Sequence, residues 1–298
     1  MGSPGHQTGP KYDPPLTRPS VEQLPGDLAQ FKVAFRYQLR SYLRTWRFIG
    51  LLLFVLLISV AILLVQLHRG VAAVTTTNPT ASDYLVTYLA FLGDAVIIVA
   101  AFLGGDALAI DLAGGPGYLM LTQPVRRSTL LAGRYLAALV TGTGIGLVYY
   151  AFAAVAVQYF YGTVPSGILL SFGLALLFLL AVLAVAFFFS SFFRNPTVSI
   201  VASLLILIIG FPIVTELGTL TGVEPWFSLD YGSQAITSVL ASNFSHESTM
   251  QVGAGHRAMI TVYAFSPYPW EGAVIMAVYL VVFLALTYRI FLRKEVRG

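Results

Sequence analysis

The stretch FIGLLLFVLLISVAILLVQ, from Phe48 to Gln66, decides the fold of this chain. It contains no charged residue, and its length matches the roughly 20 apolar residues that a helix needs to cross the hydrocarbon core of a membrane. The whole chain has the same character. Its 298 residues are 57% hydrophobic and 10% charged, whereas soluble domains carry about 25% charged residues. With a mean hydropathy of +0.80, much of this chain must be covered by lipid.

Five further apolar segments follow the first. The sequence predicts an all-α, polytopic membrane protein with six transmembrane helices, at about 48–66, 84–110, 134–159, 168–193, 198–214 and 271–290. Together they form a transmembrane domain, 48–298, with a long inner loop at 106–133 and a long outer loop at 215–270. The outer loop is rich in aromatic residues, and we expect it to fold into short helices. Ser228 is placed to begin one that runs to about Leu240.

The segment before the first span divides into two parts. Residues 1–30 are rich in Pro and Gly, which predicts a disordered cytoplasmic tail. Residues 31–47 are predicted to form an amphipathic helix in the membrane interface, because apolar side chains share one arc and cations border it. The apolar arc holds Phe31, Phe35, Leu39, Tyr42 and Trp46, and the basic arc holds Lys32, Arg36, Arg40, Arg44 and Arg47. The alternative is a basic segment without a defined role.

Basic residues predict the orientation of the chain. Of the 17 Lys and Arg residues, only Arg69 and Arg257 fall on the outer side if the N-terminus lies in the cytoplasm. Short cytoplasmic loops carry an excess of Lys and Arg. We therefore expect a multi-pass protein of the cell (plasma) membrane with both termini in the cytoplasm.

The loop between the second and third spans carries a recognisable pattern, DLAGGPGYLMLTQPVRRSTLLAGR, from Asp111 to Arg134. It resembles the permease subunits of type-2 ATP-binding-cassette exporters. In that family an acidic residue ends the second helix, and a glycine, a leucine-rich stretch, Pro-Val-x-Arg and a Gly-Lys/Arg pair follow. The matching positions here are Asp111, Gly115, Leu119, Met120, Leu121, Pro124, Val125, Arg127, Gly133 and Arg134.

The resemblance implies that this loop couples the chain to a separate ATPase subunit. The residue types of the loop support the same interpretation. A short apolar helix around Leu119 and Leu121 would lie outside lipid and would need a protein surface to cover it. Arg126 and Arg127 are placed to pair with acidic residues of such a partner. The alternative is a loop that folds back on its own helices. The resemblance also implies an exporter built as a homodimer, or as a heterodimer with a related permease.

The chain lacks the residues needed to hydrolyse ATP itself. No phosphate-binding loop of the type GxxxxGK[ST] is present, so we expect no enzyme activity and no bound cofactor, with ATP and magnesium on the partner subunit. Gly142 and Gly146 are superficially similar to part of a nucleotide fingerprint. They lie inside a span, where small residues at this spacing favour close helix packing. Membrane lipid is an expected partner, and nucleic acid is not.

Asp94 is the one charge well inside a predicted span. A carboxylate at this depth is costly and should face the bundle interior or water. Its expected partners are the hydroxyls of Thr141, Thr143, Tyr149 or Tyr150. Two interpretations stay open: a residue of a substrate or proton path, or a protonated packing site.

Two further features lie in the outer loop. His246 and His256 occur near Glu247, but their spacing matches no metal signature, so we expect surface histidines and no metal site. Asn243-Phe-Ser245 is an N-glycosylation sequon.

Two other function classes compete with the permease. An ATP-independent secondary carrier or channel often shows internal repeats, and none is evident here. A membrane-embedded enzyme needs a nucleophile and base, or metal ligands, at membrane depth, and Asp94 stands alone among the spans.

Overall fold

The computed structural model describes residues 26–112, 127–253 and 259–293. Within them, six helical segments are long and apolar enough to cross a membrane. These spans run over Trp46–Arg69, Ala81–Gly104, Ser128–Tyr161, Gly167–Phe192, Pro196–Thr221 and Pro269–Phe291. The expected class of a polytopic, helical membrane protein with six spans is therefore confirmed.

The elements follow in chain order. The helices before the inner loop are α1 (Asp27–Arg44), α2 (Trp46–Arg69), α3 (Val71–Thr77), α4 (Ala81–Leu89), α5 (Leu92–Gly104) and α6 (Ala109–Leu112). After it come α7 (Arg127–Tyr161), α8 (Gly167–Phe192), α9 (Pro196–Leu204), a π-helical turn (Leu205–Gly210), α10 (Phe211–Thr221), α11 (Leu229–Ser233) and α12 (Ala235–Ser238). Strands β1 (Glu247–Gly253) and β2 (Met259–Phe265) precede the last helix, α13 (Pro269–Arg293).

The second, third and fourth spans form the centre of the bundle, and about half of each is buried by the rest of the chain. The first, fifth and sixth are mostly exposed. Their apolar side chains need lipid or a protein partner as cover. Buried tyrosines join the spans: Tyr88 Oη donates to the carbonyl of Ser59 at 3.0 Å, and Tyr149 Oη donates to the carbonyl of Tyr88 at 2.9 Å.

Helix starts are set by local polar residues. Thr80 Oγ1 accepts from the backbone N–H of Asp83 at 3.1 Å, which caps α4. Asn195 Oδ1 accepts from the N–H of Thr197 at 3.0 Å, and Pro196 follows in the first turn of α9. Both arrangements satisfy backbone donors that have no partner within the helix.

The fifth span changes its helical pitch near its middle. Pro212 has no N–H to donate to the preceding turn, and the π-helical turn Leu205–Gly210 lies directly before it. The helix then continues to Thr221 and ends at Gly222, which has a φ of 69°. The fifth span therefore continues about two turns past its predicted end at residue 214, and Thr215 and Glu216 lie within α10.

The helix that was predicted to lie in the membrane interface also differs in its bounds. It begins at Asp27, so residues 27–30 are helical and not part of a disordered tail, and it ends at Arg44. Thr45 is extended, with φ −85° and ψ 139°. This break lets the chain turn from α1 into the first span, so Trp46 and Arg47 belong to α2.

The long loop between the fifth and sixth spans contains both helices and strands. The predicted short helix after Ser228 is present as α11 and α12, but Ser228 Oγ bonds to Thr215 Oγ1 at 2.9 Å and does not cap α11. The hairpin β1–β2, antiparallel with Glu247 opposite Phe265, was not expected. Strand β1 (ESTMQVG) is mostly polar and β2 (MITVYAF) is almost continuously apolar, so neither shows the clear alternation that predicts a strand.

Two of the three tryptophans lie at the start of a span, and the third lies in the loop shortly after the fifth span. Trp46 begins α2, Trp270 is the second residue of α13, and Trp226 lies between α10 and α11; all three side chains are exposed. Tryptophan is enriched at both membrane–water interfaces. We call the end of the bundle with α1 the basic end, and the end with the hairpin the loop end.

Candidate functional site

A cavity at the basic end joins α1, α5 and α7. It has a volume of about 360 Å³ and is lined by Tyr42, Arg47, Leu103, Asp106 and Arg134 among others. Tyr42 Oη donates to the carbonyl of Leu103 at 2.7 Å, which ties α1 to the end of the second span. The inner loop leaves the bundle from this place, because α6 ends at Leu112 and α7 begins at Arg127.

Charged side chains join the helices that line the cavity. Asp106 is buried and forms an ion pair with Arg47, whose side chain is 56% exposed. Burial raises the pKa of the Asp106 carboxyl above its usual value, and the positive charge of Arg47 opposes that rise. Arg134 is also buried, and its guanidinium donates to the carbonyl of Ala107 at 2.6 Å. The start of α7 is thereby fixed to the residues that lead into the loop.

Ser190, near the end of α8, anchors the same residues from the other side. Its buried Oγ accepts from the backbone N–H groups of Leu108 and Ala109, at 2.8 and 3.0 Å. These donors open α6 and have no partner within the helix. The fourth span is therefore bonded directly to the entrance of the inner loop.

Gly133 is the point where α1 crosses α7. A Cβ atom at this position would lie 3.0 Å from Ala34 Cβ and 3.1 Å from the backbone nitrogen of Phe35. The missing side chain therefore lets the two helices touch. The sequence predicted a coupling role for Gly133, and the structure places this residue against α1.

The other predicted coupling residues divide between described and undescribed parts. Gly115, Leu119, Leu121, Pro124 and Arg126 lie outside the described residues. Asp111 is in α6 and Arg127 opens α7. Of the predicted set, Gly133 and Arg134 are therefore the two whose surroundings are known, and both lie against the cavity or α1.

A second cavity, of about 310 Å³, lies between α5 and the loop-end helices. Asp94 and Asp230 both line it. Burial raises the pKa of Asp230; Thr215 opposes the rise, and the charges of Asp94 and Glu216 add to it. Asp94 lies 10 residues before the end of α5, or about 15 Å along the helix, and its side chain is exposed in this single chain.

The expected hydroxyl partners of Asp94 are engaged elsewhere. Thr141 donates to its own helix at Ala137, Tyr149 donates to Tyr88, and Tyr150 bonds to Ser171 at 2.9 Å. A hydroxyl has one proton to donate, so the pairing predicted for Thr141 and the two tyrosines was wrong. Thr143 makes no hydrogen bond through its side chain among the described residues.

The remaining predicted positions have varied surroundings. A Cβ atom at Gly142 would lie 3.1 Å from the side chain of Leu179 in α8, whereas one at Gly146 would meet no described atom within 4 Å. Asn243 is exposed just before the hairpin.

Several of these site residues carry weak sequence signals. Asp106 is a charge at the end of an apolar run, which marks it as unusual but does not reveal its partner 59 positions away. Asp230 and Ser190 belong to common residue types in unremarkable surroundings. Only the packing of distant segments brings Asp106 and Asp230 to the two cavities, and Ser190 to the backbone of Leu108 and Ala109.

Comparison with protein families adds a finding that agrees with this architecture. Residues 39–296 match the family described as ABC-2 family transporter protein. No curated protein matches the chain. The match includes all six spans, the loop at the basic end and the hairpin, and it makes the chain a transmembrane permease component without an ATPase site of its own. The protein is a member of the ABC-2 transporter family.

Proposed function

We propose that this chain is the permease of an exporter, and that ATP hydrolysis by a separate subunit drives it through the inner loop. The observation that carries the proposal is the cavity at the basic end. There an ion pair and hydrogen bonds join the first, third and fourth spans to residues 106–109, which continue the chain from the second span into the loop. A force applied to the loop therefore reaches four spans at once.

Rigid connections make such a loop useful as a lever. Arg134 and Ser190 attach the residues that lead into the loop to the third and fourth spans, and Tyr42 and Gly133 hold α1 against the same region. Closure of two ATPase subunits would move the loop, and the attached spans would rock as rigid bodies. ATP and magnesium bind to the partner.

The second cavity supports a pathway shared with another permease. Asp94 makes no hydrogen bond among the described residues and is exposed near the middle of its span. A carboxylate at that depth does not face lipid. We propose that a second copy, or a related permease, covers this face, and that Asp94 and Asp230 line the substrate path between the two.

Copurification tests the link to the ATPase. The chain is coexpressed with an ATP-binding-cassette ATPase that copurifies with the wild type, and Leu119 and Leu121 are both changed to Asp. We expect the ATPase to be lost from the purified complex, because the charges would remove the apolar surface that it covers, while membrane insertion stays intact. Changing both leucines to Met keeps the apolar surface and should keep the ATPase. Retention of the ATPase by the Asp variant would refute the docking role of the loop.

Transport assays in vesicles test the pathway and its direction. Asp94→Asn should reduce substrate-stimulated ATP hydrolysis and shift its pH dependence, because Asp94 helps to raise the pKa of Asp230. Asp83→Asn, at the start of α4 and outside this cavity, is the matched control. An unchanged pH profile in Asp94→Asn would exclude the path role. Accumulation of substrate on the side opposite the ATPase would support export.

A further inference from the structure

Three ligand-type side chains from distant segments meet at the loop end. Glu224 follows α10, His246 precedes β1, and Glu271 lies in the first turn of α13. One ligand atom from each lies within 4.8 Å of the other two, and His246 Nε2 is 3.7 Å from Glu224 Oε2. All three residues are partly buried. This cluster is separate from both cavities described above.

The imidazole of His246 is oriented by its surroundings. Its Nδ1 lies 2.9 Å from the backbone carbonyl of Ser266. A carbonyl oxygen can only accept, so Nδ1 carries the proton and, in the neutral ring, Nε2 presents its lone pair towards Glu224. The ring also stacks on Tyr268, with 4.8 Å between centroids. Histidines that bind metals are held in this way, by a hydrogen bond from the other ring nitrogen.

Both carboxylates are held by one oxygen each. Tyr231 Oη donates to Glu224 Oε1 at 2.6 Å, and the backbone N–H of Tyr268 donates to Glu271 Oε2 at 2.9 Å. Each carboxylate keeps its second oxygen for another ligand. Each side chain is thus anchored through one atom, and one ligand atom of each lies within 4.8 Å of the other two.

The donor set selects the class of cation. One imidazole nitrogen and two carboxylate oxygens suit zinc and similar divalent transition metals, whereas magnesium and calcium prefer oxygen ligands throughout. Ligands of a tetrahedral zinc site lie about 3.3 Å apart, given bonds of about 2.0 Å. The 3.7 Å between His246 and Glu224 is close to that spacing.

We propose that Glu224, His246 and Glu271 bind one divalent transition-metal ion such as Zn²⁺. A water molecule would occupy the fourth coordination position. The ion would join the end of α10, the start of the hairpin and the start of α13. It would therefore lock the loop end onto the fifth and sixth spans. The sequence predicted no metal site, because the three residues are 22 and 25 positions apart and form no local motif.

Metal binding by the intact chain is the direct test. The full chain, purified in detergent without a polyhistidine tag and stripped with EDTA, is titrated with Zn²⁺, and bound metal is measured after dialysis. In parallel, Co²⁺ is used as a spectroscopic probe. We expect one tightly bound Zn²⁺ per chain, the visible bands of tetrahedral Co²⁺, and a rise in the thermal midpoint that EDTA reverses.

Matched variants locate the site. His246→Ala and Glu224→Gln should each weaken Zn²⁺ binding by tenfold or more. Tyr231 orients Glu224 and is not itself a ligand, so Tyr231→Phe should weaken Zn²⁺ binding by about tenfold. His68→Ala and Glu247→Gln are the controls, since both residues are exposed and outside the cluster.

The outcomes separate the proposal from its simplest alternative, a protonated His246 that bridges two carboxylates without metal. Absence of tetrahedral Co²⁺ bands in the wild-type chain would overturn the metal site even if a variant failed to fold. Equal Zn²⁺ affinity in the wild type and His246→Ala would overturn it as well. Loss of binding in the cluster variants alone supports it, and neither result depends on coupling to the ATPase.

Discussion

At the scale of single residues, two buried serines differ in whether their hydroxyl groups form hydrogen bonds. Ser190 Oγ accepts from two backbone N–H groups, whereas the buried hydroxyl of Ser199 has no hydrogen-bond partner among the described residues. We expect Ser190→Ala to destabilise the protein by about 1–3 kcal/mol, because it leaves buried donors unsatisfied. Ser199→Ala should be neutral or stabilising. Apparent melting temperatures in detergent would check this, and equal losses in the two variants would contradict it.

The ion pair between Asp106 and Arg47 predicts that the stability of the protein depends on pH. Burial raises the pKa of Asp106 in the folded chain, so the native state binds the proton more tightly than the unfolded chain does. The contribution of this carboxyl to stability therefore falls as pH rises from the ordinary pKa of about 4 through the raised value. Relative to Asp106→Asn, the wild type should gain stability as pH is lowered from neutral towards that window.

Arg47→Gln provides the comparison for this pair. Without the arginine the pKa of Asp106 should rise further, so the pH effect should grow. At neutral pH, Arg47→Gln should cost more stability than Asp106→Asn, since it leaves a buried carboxylate without its counter-charge. Thermal unfolding at several pH values measures both effects. A stability difference between wild type and Asp106→Asn that stays constant with pH would refute this account.

At the scale of elements, the contact between α1 and α7 depends on one missing side chain. Gly133→Ala would place a methyl group 3.0 Å from Ala34 Cβ, so α1 must move by a few tenths of an ångström. We expect a loss of about 1–3 kcal/mol and faster proteolysis of α1. Gly144→Ala lies in the same helix with no described atom within 4 Å of the new Cβ, and alanine favours helix. That control should be neutral or stabilising, and a similar loss there would count against close packing at Gly133.

At the scale of the whole molecule, the charge pattern predicts which end faces the cytoplasm. The chain contains no cysteine, so single cysteines can be labelled without removing native ones. We expect Glu247→Cys, in the hairpin, to react with a membrane-impermeant maleimide in intact cells. Lys294→Cys should react only after permeabilisation. The reverse pattern would place the basic end outside and overturn the orientation.

The six spans could be predicted from the sequence because each depends on the length of an apolar run. The element ends were less predictable, since the break at Thr45 and the continuation past Thr215 depend on neighbours in space. The hairpin was missed because both strands are short and neither alternates clearly between polar and apolar residues. Gly133 and Arg134 were found through the loop pattern, but their contacts with α1 and Ala107 were not.

The sequence by itself determined that this protein crosses a membrane six times and belongs with permeases that lack an ATPase site. The length of an apolar run and the loop pattern are local properties of the chain, so they can be recognised without the tertiary structure. Only the tertiary structure decided that Asp106 pairs with Arg47, that Asp94 and Asp230 line one cavity, and that Glu224, His246 and Glu271 meet. Each of those contacts joins segments far apart in the chain, and the packing of whole helices, rather than residue type or spacing, brings their charges within reach.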